Sequence, residues 1–237
     1  MQTKAKVLIV AMAMLIATAG FAIEPYVQDF EGLNQADTGA LGADGWLVFG
    51  NVFGPDWAYW YGYGVFGAPN DGGGFSQIAI GEGGAGQGSQ QLNIFSDYNN
   101  ADHANNAYIE SNVFQEMVVG AGDVTENWVF EFDAKRGNLA GTTTAIAFIK
   151  TLDPNAGYAT TNFITADMTV IPTSWGTYSV SILIDPSLVG QILQIGFSST
   201  TTLYEGSGVF YDNINFGPTG PVATEGMSFG GVKSLFR

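Results

Sequence analysis

The sequence contains no cysteine, and its 237 residues include a single histidine, His103. Without cysteine the chain forms no disulfide bond, has no thiol nucleophile and provides no thiolate ligand for zinc. One histidine is also a weak basis for a catalytic or metal site, because the common acid–base and metal chemistries combine histidine with other side chains. Most familiar forms of enzyme chemistry are therefore poorly supported by the composition.

Positive charge is scarce as well. The chain has 22 acidic and 7 basic residues, and two of the basic ones, Lys4 and Lys6, lie in the N-terminal segment. Removal of that segment would leave 5 basic residues and a net charge of about −17. Such a surface argues against nucleic acid or an anionic membrane as the partner and is compatible with divalent cations. Because charged residues make up only 12% of the chain and aromatic residues 14%, the composition is not that of a disordered acidic segment.

Long apolar runs are absent apart from one at the N-terminus. Lys4 and Lys6 precede an apolar run over residues 7–17, which is too short for a comfortable membrane span, and residues 17–19 fit the small-x-small cleavage rule. We therefore predict a signal peptide over residues 1–22, with no membrane span after cleavage. An exported chain without cysteine is expected to be a secreted or cell-surface protein of a bacterium. An uncleaved anchor is the alternative.

Helical periodicity is nearly absent from the rest of the chain, whereas alternation of apolar and polar residues is frequent. In residues 127–135, for example, Trp128, Phe130, Phe132 and Ala134 are predicted to face a core. The predicted strands cover residues 26–33, 45–50, 57–66, 75–80, 89–96, 127–135, 142–150, 160–165, 177–184, 191–197 and 206–217. This pattern predicts an all-β fold, a two-sheet antiparallel β-sandwich of the jelly-roll type, over residues 23–217.

Residues 218–237 differ in composition from the predicted domain. Two prolines stiffen residues 218–221, and the remainder holds two of the five basic residues that lie outside the signal peptide. We interpret this stretch as a C-terminal tail, which is either a disordered end or an address or docking peptide.

The last predicted strand, residues 206–217, is bounded by glycines and filled with β-branched and aromatic residues. Alternation puts Asp212 on the face of Phe210, Ile214 and Phe216, which is expected to be the core face. A carboxylate there is costly unless it is hydrogen-bonded, paired or bound to a metal. Two interpretations remain open: a carboxylate satisfied by backbone N–H groups, or a ligand of a structural Ca²⁺ ion.

Residues 57–66 form an aromatic cluster. Alternation puts Trp57, Tyr59, Tyr61 and Tyr63 on one face of a strand and Trp60 on the other. Both faces cannot easily be fully buried in a two-layer sandwich, so some rings should be exposed. Exposed rings stack on the C–H-rich faces of sugars. The predicted ligand-binding residues are therefore Trp57, Tyr59, Trp60 and Tyr61. The alternative is an aromatic strand packed in the core or against a partner chain.

Two short motifs resemble known functional sequences, but the residues around them do not support those functions. Residues 81–86 fit G-x-G-x-x-G, but no helical pattern follows, so a dinucleotide site is rejected and a flexible loop is predicted. Glu131 and Asp133 invite comparison with the E-x-D-x-x-E strand of β-sandwich glycoside hydrolases, but Arg136 occupies the position of the second Glu. The acid–base pair of a retaining mechanism is incomplete, and we expect no catalytic residues and no enzyme activity.

The sequence Tyr-Asp-Asn-Ile at residues 211–214, taken with Asp-Phe-Glu-Gly at residues 29–32, resembles the jelly-roll carbohydrate-binding modules of the galactose-binding-like superfamily. The resemblance covers about residues 26–217. It implies that the first and last strands lie close together and that an early acidic residue shares a structural calcium with the Asp of the last strand. On this resemblance Glu31 and Asp212 are expected to be the metal ligands, Ca²⁺ the cofactor and a glycan or polysaccharide the partner.

Three classes of function follow. The first is a secreted, non-catalytic carbohydrate-binding protein with a structural calcium. The second is a structural cell-surface or extracellular matrix protein that self-associates, which would suit the 33 glycines and the low charge density. The third, a glycoside hydrolase or polysaccharide lyase, has little chemistry to support it.

Overall fold

The computed structural model describes residues 23–202 and 204–219. Over this range the chain forms two six-stranded antiparallel sheets, which confirms the predicted β-sandwich. No helix in the described range is long and apolar enough to cross a bilayer. The predicted signal peptide at residues 1–22 lies outside the described residues, as does the C-terminal tail from residue 220 onward.

The strands in chain order are β1 (Tyr26–Gln28), β2 (Leu47–Phe53), β3 (Tyr59–Gly67), β4 (Ser76–Ile80), β5 (Gln90–Ile94), β6 (Tyr108–Val118), β7 (Asn127–Leu139), β8 (Thr144–Asp153), β9 (Ala159–Asp167), β10 (Gly176–Leu183), β11 (Ile192–Thr202) and β12 (Ser207–Pro218). A four-residue helix, α1 (Ala40–Ala43), and short 3₁₀ turns lie between them. Sheet I has the order β10-β7-β12-β5-β4, with β1 also paired to β12. Sheet II has the order β3-β2-β6-β11-β8-β9.

Strand β12 organises sheet I. It pairs with β7 along one side, and on its other side with β5 at residues 209–211 and with β1 at residues 214–216. Tyr26 in β1 thus lies opposite Phe216 in β12. The first and last strands are therefore neighbours, as expected for the jelly-roll arrangement, and the start of the domain is fixed to its end.

The core lies between the two sheets and is rich in aromatic rings. Phe197 of sheet II stacks on Tyr211 of sheet I with ring centroids 3.6 Å apart. Trp46, just before β2, is fully buried and stacks on Phe197 at 6.3 Å. The alternation predicted for residues 127–135 is confirmed, because Trp128, Phe130, Phe132 and Ala134 are all buried.

A bulge in β12 overturns the predicted face of Asp212. Between Asp212 and Asn215 the register with β7 shifts by one residue, and Asn213 there has a φ of 47°. An extra unpaired residue reverses the alternation that follows it. The side chains that reach the core are Val209, Tyr211, Ile214 and Phe216. The prediction that Phe210 and Asp212 share the core face with Ile214 and Phe216 is therefore wrong, because strict alternation allows for no inserted residue.

The sequence patterns do not predict β6, which lies at the centre of sheet II between β2 and β11. Its inward-facing residues include the polar Ser111 and Gln115, and its outward-facing residues include the apolar Phe114. Both faces thus mix polar and apolar side chains, so the period-two signal is weak. This strand nevertheless carries several of the residues that line the candidate site.

We expect Trp46→Ala to lower the free energy of unfolding by about 3–5 kcal/mol, because it empties a fully buried site between Tyr26, Phe30 and Phe197. Trp57→Ala is the matched control. This ring is 56% exposed, and its removal should cost about 1 kcal/mol or less. Urea unfolding followed by fluorescence measures both values. Equal losses for the two variants would contradict the core described above.

Candidate functional site

The outer face of sheet II contains a cleft with a volume of about 670 Å³. All six strands of the sheet supply lining residues, from Val65 in β3 to Thr160 in β9. Five interstrand spacings of about 4.8 Å give this groove a length of roughly 24 Å across the strands. The cleft is therefore long and open.

Alternation along the strands explains which side chains reach the cleft. In β2, Val48 and Val52 are buried in the core, so Phe49 and Asn51 point outward. In β6, Ile109 and Val113 likewise point inward, while the even-numbered residues point outward. The register of β2 on β6 places Asn51 opposite Glu110 and Phe49 opposite Asn112, so polar and aromatic side chains from different strands become neighbours.

Hydrogen bonds between these side chains hold two carboxylates in place. Asn51 Nδ2 and Asn112 Nδ2 both donate to Glu110 Oε1, at 2.7 and 2.9 Å. Gln194 Nε2 donates to Glu116 Oε2 at 2.9 Å. The second carboxylate oxygen of Glu110 accepts no hydrogen bond from the described residues and is available to a ligand. The cleft thus has preformed acceptors beside apolar walls.

Two exposed rings lie on turns at opposite ends of sheet II. Tyr158, on the turn between β8 and β9, lines the cleft and is 61% exposed. Trp57, on the turn between β2 and β3, stacks on Tyr108 at 3.9 Å. Both residues have a φ of 64°, the left-handed region that side-chain-bearing residues rarely adopt. These two turns place a ring at each of two diagonally opposite corners of the sheet.

The four predicted sugar-binding residues are all exposed on or beside the edge strand β3: Trp57, Tyr59, Trp60 and Tyr61. Opposite Val52 and Phe53 of β2, strand β3 has a bulge that contains one extra residue between Tyr59 and Tyr61. Tyr59 and Tyr61 therefore point to opposite sides of the sheet, and the predicted common face of Trp57, Tyr59 and Tyr61 is wrong. The Tyr59 ring packs against Phe53 at 5.7 Å on the cleft side.

The other two rings of the group point elsewhere. The Tyr61 hydroxyl donates to Asp102 Oδ2 at 2.6 Å on the opposite side of the sheet, and this hydrogen bond lowers the pKa of the Asp102 carboxyl. The Trp60 indole lies against Gly54. The structure thus brings Trp57 and Tyr59 to the outer face of sheet II and leaves Trp60 and Tyr61 away from it.

Sequence reasoning missed most of the residues that line the cleft, among them Phe49, Asn51, Asn112, Phe114, Tyr158 and Gln194, and also Glu110, which is hydrogen-bonded to two of them. These residues come from strands far apart in the chain, and each is one outward position in an alternating pattern. The weak signal that existed was an apolar residue at a non-core position, as at Phe49 between the buried Gly50 and Val48.

A second candidate site surrounds Asp212, on the outer side of sheet I. Its side chain is fully buried, because the loop after β4 covers it, with Asn213 Nδ2 donating to Gly86 O at 2.9 Å. Asp212 Oδ1 accepts the backbone N–H of Asn213 at 2.7 Å, whereas Oδ2 has no hydrogen-bond partner among the described residues. Burial raises the pKa of Asp212 to about 7, and the nearby charges of Asp29, Glu31 and Asp133 add to the increase.

Glu31 lies close enough to act on Asp212 through its charge, but its own Oε1 accepts the backbone N–H groups of Ser89 and Gln90 at 2.7 and 2.6 Å. No group of three or more His, Asp or Glu side chains in the described ranges is arranged to hold a metal ion. A buried carboxylate oxygen without a partner, facing other carboxylates, is nevertheless a position that a cation would complement. Oxygen donors of this kind are those that calcium prefers.

Glu131 and Asp133 lie on β7 in sheet I, away from the cleft on sheet II. Burial would raise the pKa of Asp133, but hydrogen bonds from Asn213, Thr177 and Gln87 outweigh it and keep that pKa below its usual value. Asp133 thus fastens the loop after β4 to sheet I.

Neither a scan of known protein families nor a search of curated proteins finds a match to this chain. Solved structures similar to it include many carbohydrate-binding modules. The N-terminal tandem of two family 22 carbohydrate-binding modules of Paenibacillus barcinonensis Xyn10C is 14% identical, with 90% of this chain and 50% of that chain covered and a TM-score of 0.47.

Two further similar structures belong to much larger chains. One is the enzymatically active domain of tailspike protein 4 of bacteriophage CBA120. It is 12% identical, the match covers 78% of this chain and 21% of that chain, and the TM-score is 0.44. The other is a Clostridium thermocellum endo-1,4-β-D-xylanase complexed with xylohexaose. It is 12% identical, the match covers 81% of this chain and 28% of that chain, and the TM-score is 0.43. This chain spans less than a third of either. Since every score is below 0.5, the β-sandwich assignment rests on the strand pairing of the chain itself.

We expect the contribution of Asp212 to the free energy of unfolding, in metal-free buffer, to fall as the pH rises from about 4 to 7. Between the ordinary unfolded-state pKa of about 3.9 and the folded-state value of about 7, the folded protein binds more protons at Asp212 than the unfolded chain does. Asp212→Asn should remove this component. Urea unfolding of both proteins across this pH range measures it, and identical pH profiles would refute the raised pKa.

Proposed function

We propose that the protein binds a glycan without cleaving it and that the glycan lies across the cleft of sheet II. The observation that carries the proposal is a groove across all six strands that combines exposed rings with preformed hydrogen-bonding groups. Sugars need both, because their C–H faces stack on rings while their hydroxyls donate and accept hydrogen bonds at the edges.

The residues have distinct roles in this proposal. Tyr158 and Trp57, held at the rim by their turns, stack on sugar rings at the two ends of the chain. Glu110, with Asn51 and Asn112 fixing its orientation, accepts hydrogen bonds from sugar hydroxyls beside these two amides. Because these polar groups are held by one another before a ligand arrives, little conformational entropy is lost on binding.

The shape of the cleft favours a polymer over a single sugar. A groove of roughly 24 Å that is open along the face of the sheet accommodates several sugar units in a row. An enclosed pocket would instead select the end of a chain or a monosaccharide. The proposed ligand is therefore the internal part of a polysaccharide.

The cleft carboxylates are badly placed for glycoside hydrolysis. Glycosidases use two carboxyl groups about 5–9.5 Å apart. Glu110 and Glu116 are on the same strand, and six residues at about 3.4 Å each put their backbones roughly 20 Å apart. This spacing supports binding without catalysis.

The proposal also includes secretion and a structural calcium ion. The N-terminal segment supports secretion to the outside of a bacterial cell. A structural Ca²⁺ ion would be held by Asp212 and Glu31 together with backbone carbonyls, close to the pairing of β1 with β12. Its charge would offset the cost of ionising the buried Asp212.

One observation favours the alternative of a self-associating surface protein. Strand β3 is an edge of sheet II, and it exposes Val65 and Phe66 as well as Tyr59 and Tyr61. Unprotected edge strands with apolar side chains promote pairing between copies. A concentration-dependent change in size on gel filtration, together with no glycan binding, would support this second candidate.

We expect Tyr158→Ala and Trp57→Ala each to weaken binding to a recognised polysaccharide by about tenfold or more, since each removes a stacking ring. Trp60→Ala is the matched control, because this tryptophan is also exposed but points away from the cleft. A glycan array followed by isothermal titration calorimetry measures the effects. A loss confined to Trp60→Ala would place the binding surface on the other side of β3 and contradict the cleft.

If calcium binds at Asp212, EDTA should lower the melting temperature of the protein. A ligand at about 100 times its dissociation constant stabilises by about 2.7 kcal/mol, so the shift should amount to several degrees. Asp212→Asn should lose most of the sensitivity to EDTA. Elemental analysis of the purified protein provides an independent measurement. No calcium and an unchanged melting curve would leave Asp212 as a buried carboxyl group that binds no metal.

A further inference from the structure

The cleft contains a cation in a protein that has few of them. Only three basic residues lie in the described ranges: Lys135, Arg136 and Lys150. Lys135 pairs with Glu82 at 2.7 Å on sheet I. Lys150 lies on β8 and lines the cleft of sheet II. In a chain with three times as many acidic as basic residues, a lysine at this position needs an explanation.

The Lys150 ammonium has no anionic partner among residues 23–202 and 204–219. No carboxylate in these ranges lies within 4.0 Å of Nζ, and none of their polar atoms forms a hydrogen bond with it. Nζ instead lies 5.0 Å from the ring centroid of Phe148 and 5.1 Å from that of Phe163. The rings stabilise the charge and hold the side chain in place, but they leave its three N–H donors without strong acceptors.

The nearby carboxylates accept hydrogen bonds from side-chain amides and not from Lys150. Across the strands, Lys150 lies opposite Gln194, which in turn lies opposite Glu116. The Gln194 amide donates to Glu116, and the amides of β2 and β6 donate to Glu110. Amide groups thus bind the acidic side chains of the cleft, while the ammonium is left to face the groove.

Desolvation gives this arrangement an energetic cost that a ligand would relieve. Burial lowers the pKa of Lys150, and the charge of Glu110 only partly opposes this effect. A partly desolvated ammonium is stabilised most by a charge-assisted hydrogen bond to an anion. An anionic group on the ligand would meet this need, whereas a hydroxyl would meet it only in part.

We propose that the cleft selects polysaccharides with an anionic substituent, a uronate carboxylate or a sulfate ester, and that Lys150 binds this substituent. The inference rests on the proposed function of the cleft. Repulsion between an anionic ligand and exposed carboxylates more than about 10 Å away is screened at 0.1 M salt, so the net negative charge of the protein does not exclude such a ligand. Glu116 is two strands away from Lys150, a backbone separation of roughly 10 Å. The contact at Lys150 is short and partly desolvated, so it persists.

Binding of the full chain to three polysaccharides tests this inference: polygalacturonate, a sulfated galactan and neutral xylan. We expect at least one charged polymer to bind more tightly than xylan, and added salt to weaken that binding. Lys150→Met keeps the apolar stem against Phe148 and Phe163 but removes the charge, and should reduce affinity for the charged polymer by about tenfold or more. Lys150→Arg should retain most of it.

Arg136→Met is the matched control, because it removes an exposed positive charge on sheet I and should leave the affinity unchanged. The polymer that Lys150→Met affects identifies the substituent as carboxylate or sulfate. Tight binding of xylan, with no preference for either charged polymer and no salt dependence, would overturn the inference and leave the proposed function intact. Binding of none of the three, nor of any glycan on an array, would overturn both.

Discussion

The packing of Tyr211 on Phe197 joins the two sheets, and the rest of the structure depends on this contact. The centroids of the two rings are 3.6 Å apart and both rings are buried, so the faces of β11 and β12 that carry them must point into the core. Pairing then fixes the inward faces of the neighbouring strands, because adjacent residues in register point the same way. The outer face of sheet II is left free to carry rings, amides and carboxylates with no role in holding the sheets together.

Single inserted residues change which side chains meet at both candidate sites. The bulge in β12 brings Ile214 and Phe216 to the core face of Tyr211, so Asp212 lies on the other face of the strand, where one of its oxygens has no hydrogen-bond partner among the described residues. The bulge between β2 and β3 sends Tyr59 to the cleft side and Tyr61 to the other. In each case one extra residue changes which side chains meet, while the sheet around it keeps its pairing.

Charge is distributed according to the role of each surface. Asp133 on sheet I is surrounded by donors that fasten a loop, and Lys135 there is paired with Glu82. On sheet II the carboxylates of Glu110 and Glu116 are held by amides. Side-chain amides orient a carboxylate without neutralising it, so the cleft keeps its charges available for a ligand. Lys150 completes this arrangement as the cation among the described residues that faces the groove.

The sequence by itself determined the all-β class and the core face of β7, because alternating apolar residues in a long strand can be buried on one side only. It also indicated that rings near Trp57 would be exposed, since two sheets cannot cover both faces of an aromatic strand. Only the tertiary structure decided the faces of Asp212 and Tyr61, because a bulge has no reliable signature in alternation. Only the tertiary structure assembled the cleft, because Asn51, Asn112 and Tyr158 are far apart in the chain and are brought to one face of sheet II through strand register, which depends on every pairing in the sheet.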